Sequence, residues 1–597
     1  MAITVAEYVA NFFSQKGIKD VFMVTGGGAM FLNDALSRNK KLRVSCFHHE
    51  QGCSMAAEAY FKVSQKPVLV NVTTGPGCTN AITGVYGAYV DSAAMIVISG
   101  QVKRPTMKRF DNPDLRQLGD QEIDIVPIVK TITKYSVLID DATTLDYELN
   151  KAYYFAMSGR PGPVWLDIPI DVQSATVPPQ KKNFKIPATP KKTQSVAKIK
   201  ILINKLKAAE RPVIVAGTGI HGSQTTQKLL KFAEKYDIPI VSSFCASDVV
   251  PSDHRLFIGR QGTIGDRAGN FAVQNADLVM VLGSRLNIRQ VSYGWANFAA
   301  KAYKVMVDID IAEMNKSTLD LDLKIHSDLN DFFISLETIL KTEKIPKKKQ
   351  YLKWCTIRKD KYLTVLPVHY KSESVNPYAF MKEISQAIPE RTVIVTADGT
   401  AAITSFQAFE TKKGQRLFSN SGSAPMGFDL PAAIGAFLSI KGDKNYQQKV
   451  ICFAGDGSVM MNLQELQTFK TLKIPAVIFI LNNGGYMSIL QTQRNYFKDN
   501  IFGCINSDEL SFPDFKKIAA GFDIKFIRLN TLKDIKDVTA SLSNNETVIC
   551  EVMLDQNQMF EPKLVSRRLA DGSFKSPELD DMFPFLSDKE LSENRLA

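Results

Sequence analysis

The stretch GDGSVMMNLQELQTFKTLKIPAVIFILNN, residues 455–483, decides the fold. The apolar run KVICFA before it reads as a strand that ends at GDG. MMNLQELQTFKTL has helical periodicity, and AVIFIL reads as the next strand, ending at NN. Asp456 and Asn483, 27 positions apart, are therefore expected at the same carboxyl edge of two strands joined by one crossover. A carboxylate and an amide carbonyl are hard oxygen ligands suited to Mg2+ or Ca2+, and so few protein ligands leave room for phosphate oxygens on the ion. Gly455 and Gly457, in the GDGS turn with Ser458, let a diphosphate approach the backbone. Asp456 alone would be a helix N-cap, and NNGG alone a plain turn. The two at this spacing point to a metal–diphosphate site.

Outward from this stretch the same rhythm fills the chain. Short apolar runs alternate with helical stretches: VFMVTG, PVLVNVTTG, AMIVISG and PVWLDIP, then RPVIVAGTG, IPIVSSF, ADLVMVLGS and YKVMVDID, then TVIVTADG, KVICFAGDG, AVIFILNN and ETVICEVML. Alternation of this kind implies parallel sheets and an α/β fold of three doubly wound domains. The expected divisions are a first domain over 1–172, a proline-rich linker over 173–190, a central domain over 191–340, a basic linker over 341–372, a third domain over 373–560 and an acidic, turn-rich tail over 561–597, draped on the surface or mobile. In such sheets ligands bind beyond the carboxyl ends of the strands. The glycine-rich turns TGGGA (25–29), TTGPGCTN (73–80), GSRLNIR (283–289) and ADGTAA (397–402) all fall there.

Bulk properties exclude several classes. Of 597 residues, 45% are hydrophobic and 22% charged, as in ordinary globular proteins. No apolar run reaches the ~18 residues that span a bilayer. The N-terminus lacks the basic start and small-residue cleavage site of a secretory signal, so a cytoplasmic protein is expected. Eight cysteines are scattered without a CxxC pair and read mostly as small core residues. The net charge of +12 sits in two connectors. Residues 173–211 hold ten basic residues and one acidic, and 341–371 hold ten and two. Solvated linkers account for that charge, and no nucleic-acid or membrane partner is expected.

The GDG…NN spacing resembles the signature of thiamine-diphosphate-dependent enzymes. Across nearly the whole chain GGGAMFL, HHEQGCSMAAEAY, TTGPGCTNAITG, GRPGPVWLDIPIDVQ, FAVQNADLVMVLGSR and MGFDLPAAIGA resemble the acetolactate synthase large-subunit branch. The resemblance implies pyrimidine-binding, central FAD- or nucleotide-type, and diphosphate-binding domains. It also implies a homodimer or homotetramer with active sites between chains. Asp456, Asn483 and the backbone carbonyl of Gly485 would hold Mg2+. Gly399, Thr400 and Ala402 would meet the diphosphate of thiamine diphosphate. Met426, on its own a core methionine, would sit under the cofactor and bend it into a V.

FHHEQG, residues 47–52, acquires a role from the same resemblance. It follows LRVSCF, which reads as a buried strand, and precedes the helical SMAAEAYF. Glu50 alone would be a helix N-terminal carboxylate. In the family it would protonate the aminopyrimidine ring nitrogen, so that the cofactor can take the proton from its own thiazolium C2; a carboxyl in an apolar pocket can supply and hold such a proton. His48 and His49 point to opposite faces and cannot easily share one ion with Glu50. Both are expected to be structural. Gly28 and Gln121 match positions lining the reacting centre, and Asn80 a position near the cofactor.

GTGIHG, GRQGTIGDRAG, GSRLNIR and VDIDIAEMNK resemble the flavin-holding central domain, with Arg285 and Arg289 on FAD. The acceptor pocket departs from the pattern. Asp120, Arg260 and Gln491 stand where the family has an aromatic, a methionine and a tryptophan. The implied reaction is decarboxylation of a 2-keto acid, pyruvate, with carboligation of the hydroxyethyl carbanion to an acceptor carbonyl. Polar groups favour a hydroxylated acceptor such as a nucleotide-linked keto-sugar. A pyruvate oxidase-type flavoenzyme and a non-catalytic nucleotide-binding relative are the other readings. Intact Glu50, Asp456 and Asn483 speak against the last.

Overall fold

The computed structural model of the chain describes residues 3–187, 193–497, 500–568 and 571–596. Part of the proline-rich linker, 188–192, lies outside them. Eighteen strands form three six-stranded sheets, and every neighbouring pair within them is parallel. Counting strands from one in each sheet, the first and third share the order 2-1-3-4-6-5. The middle sheet runs 6-5-4-1-2-3, the doubly wound dinucleotide-binding order read from its far edge. The chain is an α/β protein of three such layers. Among the described residues no helix is long and apolar enough to cross a membrane.

All twelve interior strands coincide with the apolar runs read in the sequence. LRVSCF is a strand at Arg43–Cys46 but not a buried one: it forms a sheet edge with Arg43 and Cys46 exposed. With one neighbour only, it keeps a polar face, and Arg43 reaches Asp20 on the adjoining strand at 2.7 Å. Cys46 accordingly is no core residue. The helix expected after GDG is also interrupted: Asp456–Val459 and Glu465–Leu472 are α-helical, with a 3-10 turn at Met460–Asn462 between them. Asn462 turns its amide to the Gly427 carbonyl (2.8 Å) and to Gln51 (3.1 Å), a local competitor to regular helix.

The first and third domains share one continuous apolar core, whereas the central domain has its own. The join is made by the helix Glu50–Ser64 against Asp429–Ile440. At their crossing a Cβ on Gly435 would lie 1.9 Å from the Ala56 carbonyl oxygen, so only glycine allows the approach. Gly435→Ala should destabilise the protein by at least about 1–3 kcal/mol, read as a lowered melting temperature. An unchanged melt would refute the close approach.

The tail is packed rather than loose over its described part. Leu579 and Met582 are buried, and Leu564 and Leu596 join the central-domain core. Asn275 and Asn594 tie the end of the chain to the central domain (3.0 Å).

Candidate active site

Strands Val450–Gly455 and Ala476–Asn482 are hydrogen-bonded neighbours, and their carboxyl ends carry Asp456 and Asn483. Asp456 is buried. Its Oδ1 accepts from the Gly457 N–H and its Oδ2 from the Gly485 N–H, both at 2.9 Å. Burial pushes its carboxyl up to about 7 against the pull of these backbone donors. A cation beside it would restore the ionised form. The Asn483 amide donates to Thr400 Oγ1 at 2.8 Å, which fixes its orientation. Its carbonyl oxygen is left buried with no hydrogen-bond partner among the described residues. A buried orphan acceptor costs free energy unless something meets it, and a hard cation does so. Side chains cannot be added here: a Cβ on Gly485 would come 2.0 Å from the Cys504 carbonyl oxygen, and one on Gly457 would come 2.1 Å from the Tyr486 ring. Gly485 (φ +149°) holds a conformation few other residues adopt, and its carbonyl receives the Met487 N–H at 3.1 Å. Gly399 (φ +64°) turns the chain into the helix Thr400–Ala408, in whose first turn Ala402 is buried.

The second group of residues expected at the site belongs to the first domain. Glu50 opens the helix Glu50–Ser64 and is 9% exposed. Its Oε2 accepts from Asn80 Nδ2 at 3.0 Å, and its Oε1 lies 3.4 Å from where a Gly77 Cβ would be. Asn80 comes from the helix Pro76–Val90, launched by Gly75 at φ +63°. His49 caps the Glu50 helix through Nδ1 (3.0 Å to Gln51 N), and His48 is exposed. The His48 N–H donates to Glu465 of the third domain at 3.2 Å. Burial pushes that carboxyl up to about 7. Sequence reasoning missed Glu465, because the mixed helix ELQTFKTL does not show that its first residue is turned inward.

Gly28 donates to Thr73 Oγ1 at 3.0 Å and accepts from Gln173. Gln121 is exposed, with φ +61°, and its carbonyl is 3.2 Å from the Thr74 hydroxyl. Its neighbour Glu122 organises the loop by accepting three backbone N–H groups, those of Lys108, Leu118 and Gly119. Behind it Gln101 joins Thr74 to Asp167, which also accepts from Ser99 at 2.6 Å. Burial pushes Asp167 up to about 7. With the folded value above the unfolded one, the folded state holds the extra proton between about pH 4 and 7. This contribution is present at low pH and lost as pH rises through 7. Asp167→Asn should flatten the fall in melting temperature between about pH 4 and pH 7. An identical fall in the variant would show that this carboxyl does not carry it.

Met426 is half-buried on the segment between strand Arg416–Phe418 and helix Asp429–Ile440. The GDGS turn holds the end of that segment. Ser458 Oγ accepts from the Gly427 N–H (2.9 Å) and donates to Asp429 (2.6 Å), whose carboxyl burial pushes up to about 6. The one hydroxyl proton of Ser458 is thus directed inward, to Asp429.

Three family models of thiamine pyrophosphate enzymes match the chain: the N-terminal TPP binding domain over residues 3–128, the central domain over 199–336, and the C-terminal TPP binding domain over 397–552. The acetolactate synthase large subunit of Lactococcus lactis is 30% identical over 562 residues, 94% of each chain. The acetolactate synthase isozyme 1 large subunit of Escherichia coli is 31% identical over 536 residues, 89% of this chain and 90% of its own. The chain belongs to the thiamine pyrophosphate enzymes, on their acetolactate synthase-like branch. It is accordingly an enzyme of carboligase type. A probable acetolactate synthase large subunit of Methanocaldococcus jannaschii is 30% identical over 97% of this chain and 98% of its own.

As in any doubly wound sheet, the central domain of this thiamine pyrophosphate enzyme has its crevice where strand order reverses, between Pro212–Ala216 and Leu278–Leu282. A cavity of about 520 Å³ opens there, with Gly219, Phe244, Gly283, Arg285 and Asp308 in its wall. Close backbone approach is built in, since a Cβ on Gly217 would lie 2.1 Å from the Gly283 carbonyl oxygen. Among the described residues Arg285 has ion partners only at 3.7 and 3.8 Å (Glu313 and Asp91), and it lines the cavity. Arg289 lies over the ring of Phe244 (5.3 Å), which lines the cavity, and is not itself in the cavity wall.

Asp120, Arg260 and Gln491 are not joined by hydrogen bonds or ion pairs among the described residues. Asp120 is exposed on the Gln121 loop. Arg260 is buried, bonded to the Phe409 carbonyl at 2.6 Å with Asp266 3.9 Å away, and its Nε has no hydrogen-bond partner among the described residues. Gln491 is buried against the 556–563 segment, where its Oε1 is 3.3 Å from Lys563 Nζ.

Proposed function

We propose that this enzyme binds thiamine diphosphate through Mg2+ and decarboxylates a 2-keto acid, pyruvate, transferring its two-carbon unit to an acceptor carbonyl. The observation that carries the reading is the orphaned Asn483 carbonyl beside the buried Asp456 carboxylate, over glycines that admit no side chain. These donors fit a hard divalent ion, and Asp456, Asn483 and the Gly485 carbonyl would hold it. Gly399, Thr400, Ala402 and the turn Gly455–Ser458 would cradle the diphosphate. Bound there, thiamine diphosphate supplies the nucleophilic carbon and the electron sink for cleavage beside a keto group. Glu50 holds a proton at the ring nitrogen of the aminopyrimidine, and Asn80 orients it. Met426 supports the cofactor, and Gly28 and Gln121 line the reacting centre. Active sites between the chains of a cytoplasmic homodimer or homotetramer complete the reading. Within one chain no hydrogen bond joins the Glu50 group to Asp456 among the described residues. Tyr86, Tyr89, Met460 and Met461, beside both groups, are exposed apolar residues that an interface would cover.

In this reading FAD occupies the central cavity, with Arg285 on its diphosphate. A second acceptor reading is favoured by Gln491 and Lys563, which give the neighbourhood of the third domain polar donors and acceptors: a hydroxylated keto-sugar carried on a nucleotide. The deciding experiment incubates enzyme, Mg2+ and thiamine diphosphate with pyruvate, with and without keto-sugar nucleotides, and weighs the products. Acetolactate alone gives the first reading and a branched sugar the second. CO2 without a new C–C bond contradicts both. Anaerobic bleaching of flavin at the turnover rate would instead mark an oxidase.

A further inference from the structure

The segment that carries Met426 belongs to the third domain, yet its first half hangs on side chains of the first. Lys62 is the centre. Its Nζ lies 2.6 Å from Glu58 Oε1 and 2.8 Å from Asp91 Oδ2, and it donates to the Ser419 carbonyl at 2.9 Å. Asp91 accepts the N–H groups of Ser421 and Gly422, both at 3.0 Å. Glu58 accepts the Asn420 amide through both oxygens, at 2.9 and 2.8 Å. Asn420 in turn accepts the N–H of Ser423 at 3.0 Å. Consecutive residues 419–422 are therefore fixed by three charged groups of another domain.

Apolar packing does not require this arrangement. Lys62 and Glu58 are one turn apart on the helix whose first residue is Glu50. Glu58 is wholly buried, and burial raises its carboxyl. Burial works against the Lys62 charge too, but Asp91 and Glu58 outweigh it and hold the ammonium above its usual range. Two glycines give the groups room: a Cβ on Gly87 would come 2.5 Å from Asn420 Nδ2, and one on Gly422 would come 2.5 Å from Asp91 Oδ1. A buried charged network is weak ground for stability, and in some proteins its role is instead to specify one geometry. What it specifies here is the path of the chain into Met426, whose far side is held by Ser458 and Asn462 at Gly427.

We propose that Glu58, Lys62 and Asp91 are positioning residues, a clasp from the first domain that sets the height of the Met426 segment and so the fit of the thiamine rings. The proposal rests on the thiamine diphosphate reading above. The clasp is separate from Asp456, Asn483 and Thr400, so the metal–diphosphate part of the site should not feel its loss.

The test uses full-length Lys62→Met and Lys62→Arg, titrated by intrinsic fluorescence with two probes, thiamine diphosphate with Mg2+ and inorganic pyrophosphate with Mg2+. Lys62→Met should weaken thiamine diphosphate about tenfold or more and leave pyrophosphate within about twofold, and Lys62→Arg should recover most of the loss. Equal weakening of both probes, or of neither, overturns the clasp. If Lys62→Met does not fold, Glu58→Gln carries the same comparison, since Glu58 holds Lys62 and Asn420 without lining the central cavity. Wild-type protein that binds neither probe removes the thiamine diphosphate reading and the clasp with it. Variants that bind like a competent wild type remove the clasp alone.

Discussion

Glu50→Gln should lower turnover about 10²–10⁴-fold while leaving Mg2+-dependent binding of thiamine diphosphate close to wild type. The amide fills the same volume and can still meet Asn80, which lies 3.0 Å from Glu50 Oε2. What it cannot do is give a proton to the aminopyrimidine nitrogen and take it back. Binding is expected to survive because Asp456 and Asn483 sit at a different sheet edge, and no hydrogen bond connects them to Glu50 among the described residues. Steady-state rates with pyruvate, set beside a cofactor titration, separate the two effects. Near-normal turnover would remove Glu50 from the chemistry.

Asp456→Ala should act in the opposite way, costing more than about a hundredfold in Mg2+-dependent cofactor affinity. The carboxylate is the only anionic group among the proposed ligands, and its two oxygens also anchor the N–H groups of Gly457 and Gly485. Removal leaves those buried donors and the Asn483 carbonyl unmet together. Calorimetric titration of thiamine diphosphate at fixed Mg2+ reads the loss. Unchanged affinity would place the metal elsewhere.

The twelve interior strands were legible because a strand buried on both faces is a continuous apolar run. The edges were not. Tyr135–Leu138, Leu323–His326, Arg416–Phe418 and Lys525–Leu529 carry mixed side chains suited to a half-covered position, and nothing in their pattern separates them from loops. LRVSCF was found, but its burial was misjudged for the same reason. In the site, Asp456 and Asn483 could be read from spacing alone because one crossover fixes their relation. Glu58, Lys62, Asp91 and Asn420 could not, since hundreds of residues separate the partners and only the join between two domains brings them together. The polar departures at Asp120, Arg260 and Gln491 were equally plain in the sequence. The partners of Arg260 (Phe409 and Asp266) and of Gln491 (Lys563) depend on how the central domain and the 556–563 segment pack.

The account turns on Glu50 controlling a proton on a cofactor whose diphosphate is held by Asp456 and Asn483. Exchange of the thiazolium C2 proton for deuterium, followed by NMR on acid-quenched holoenzyme, tests that directly. Exchange faster than turnover in the wild type, slowed by orders of magnitude in Glu50→Gln with the cofactor still bound, is the result the account predicts. Equal exchange rates in the two proteins would contradict it.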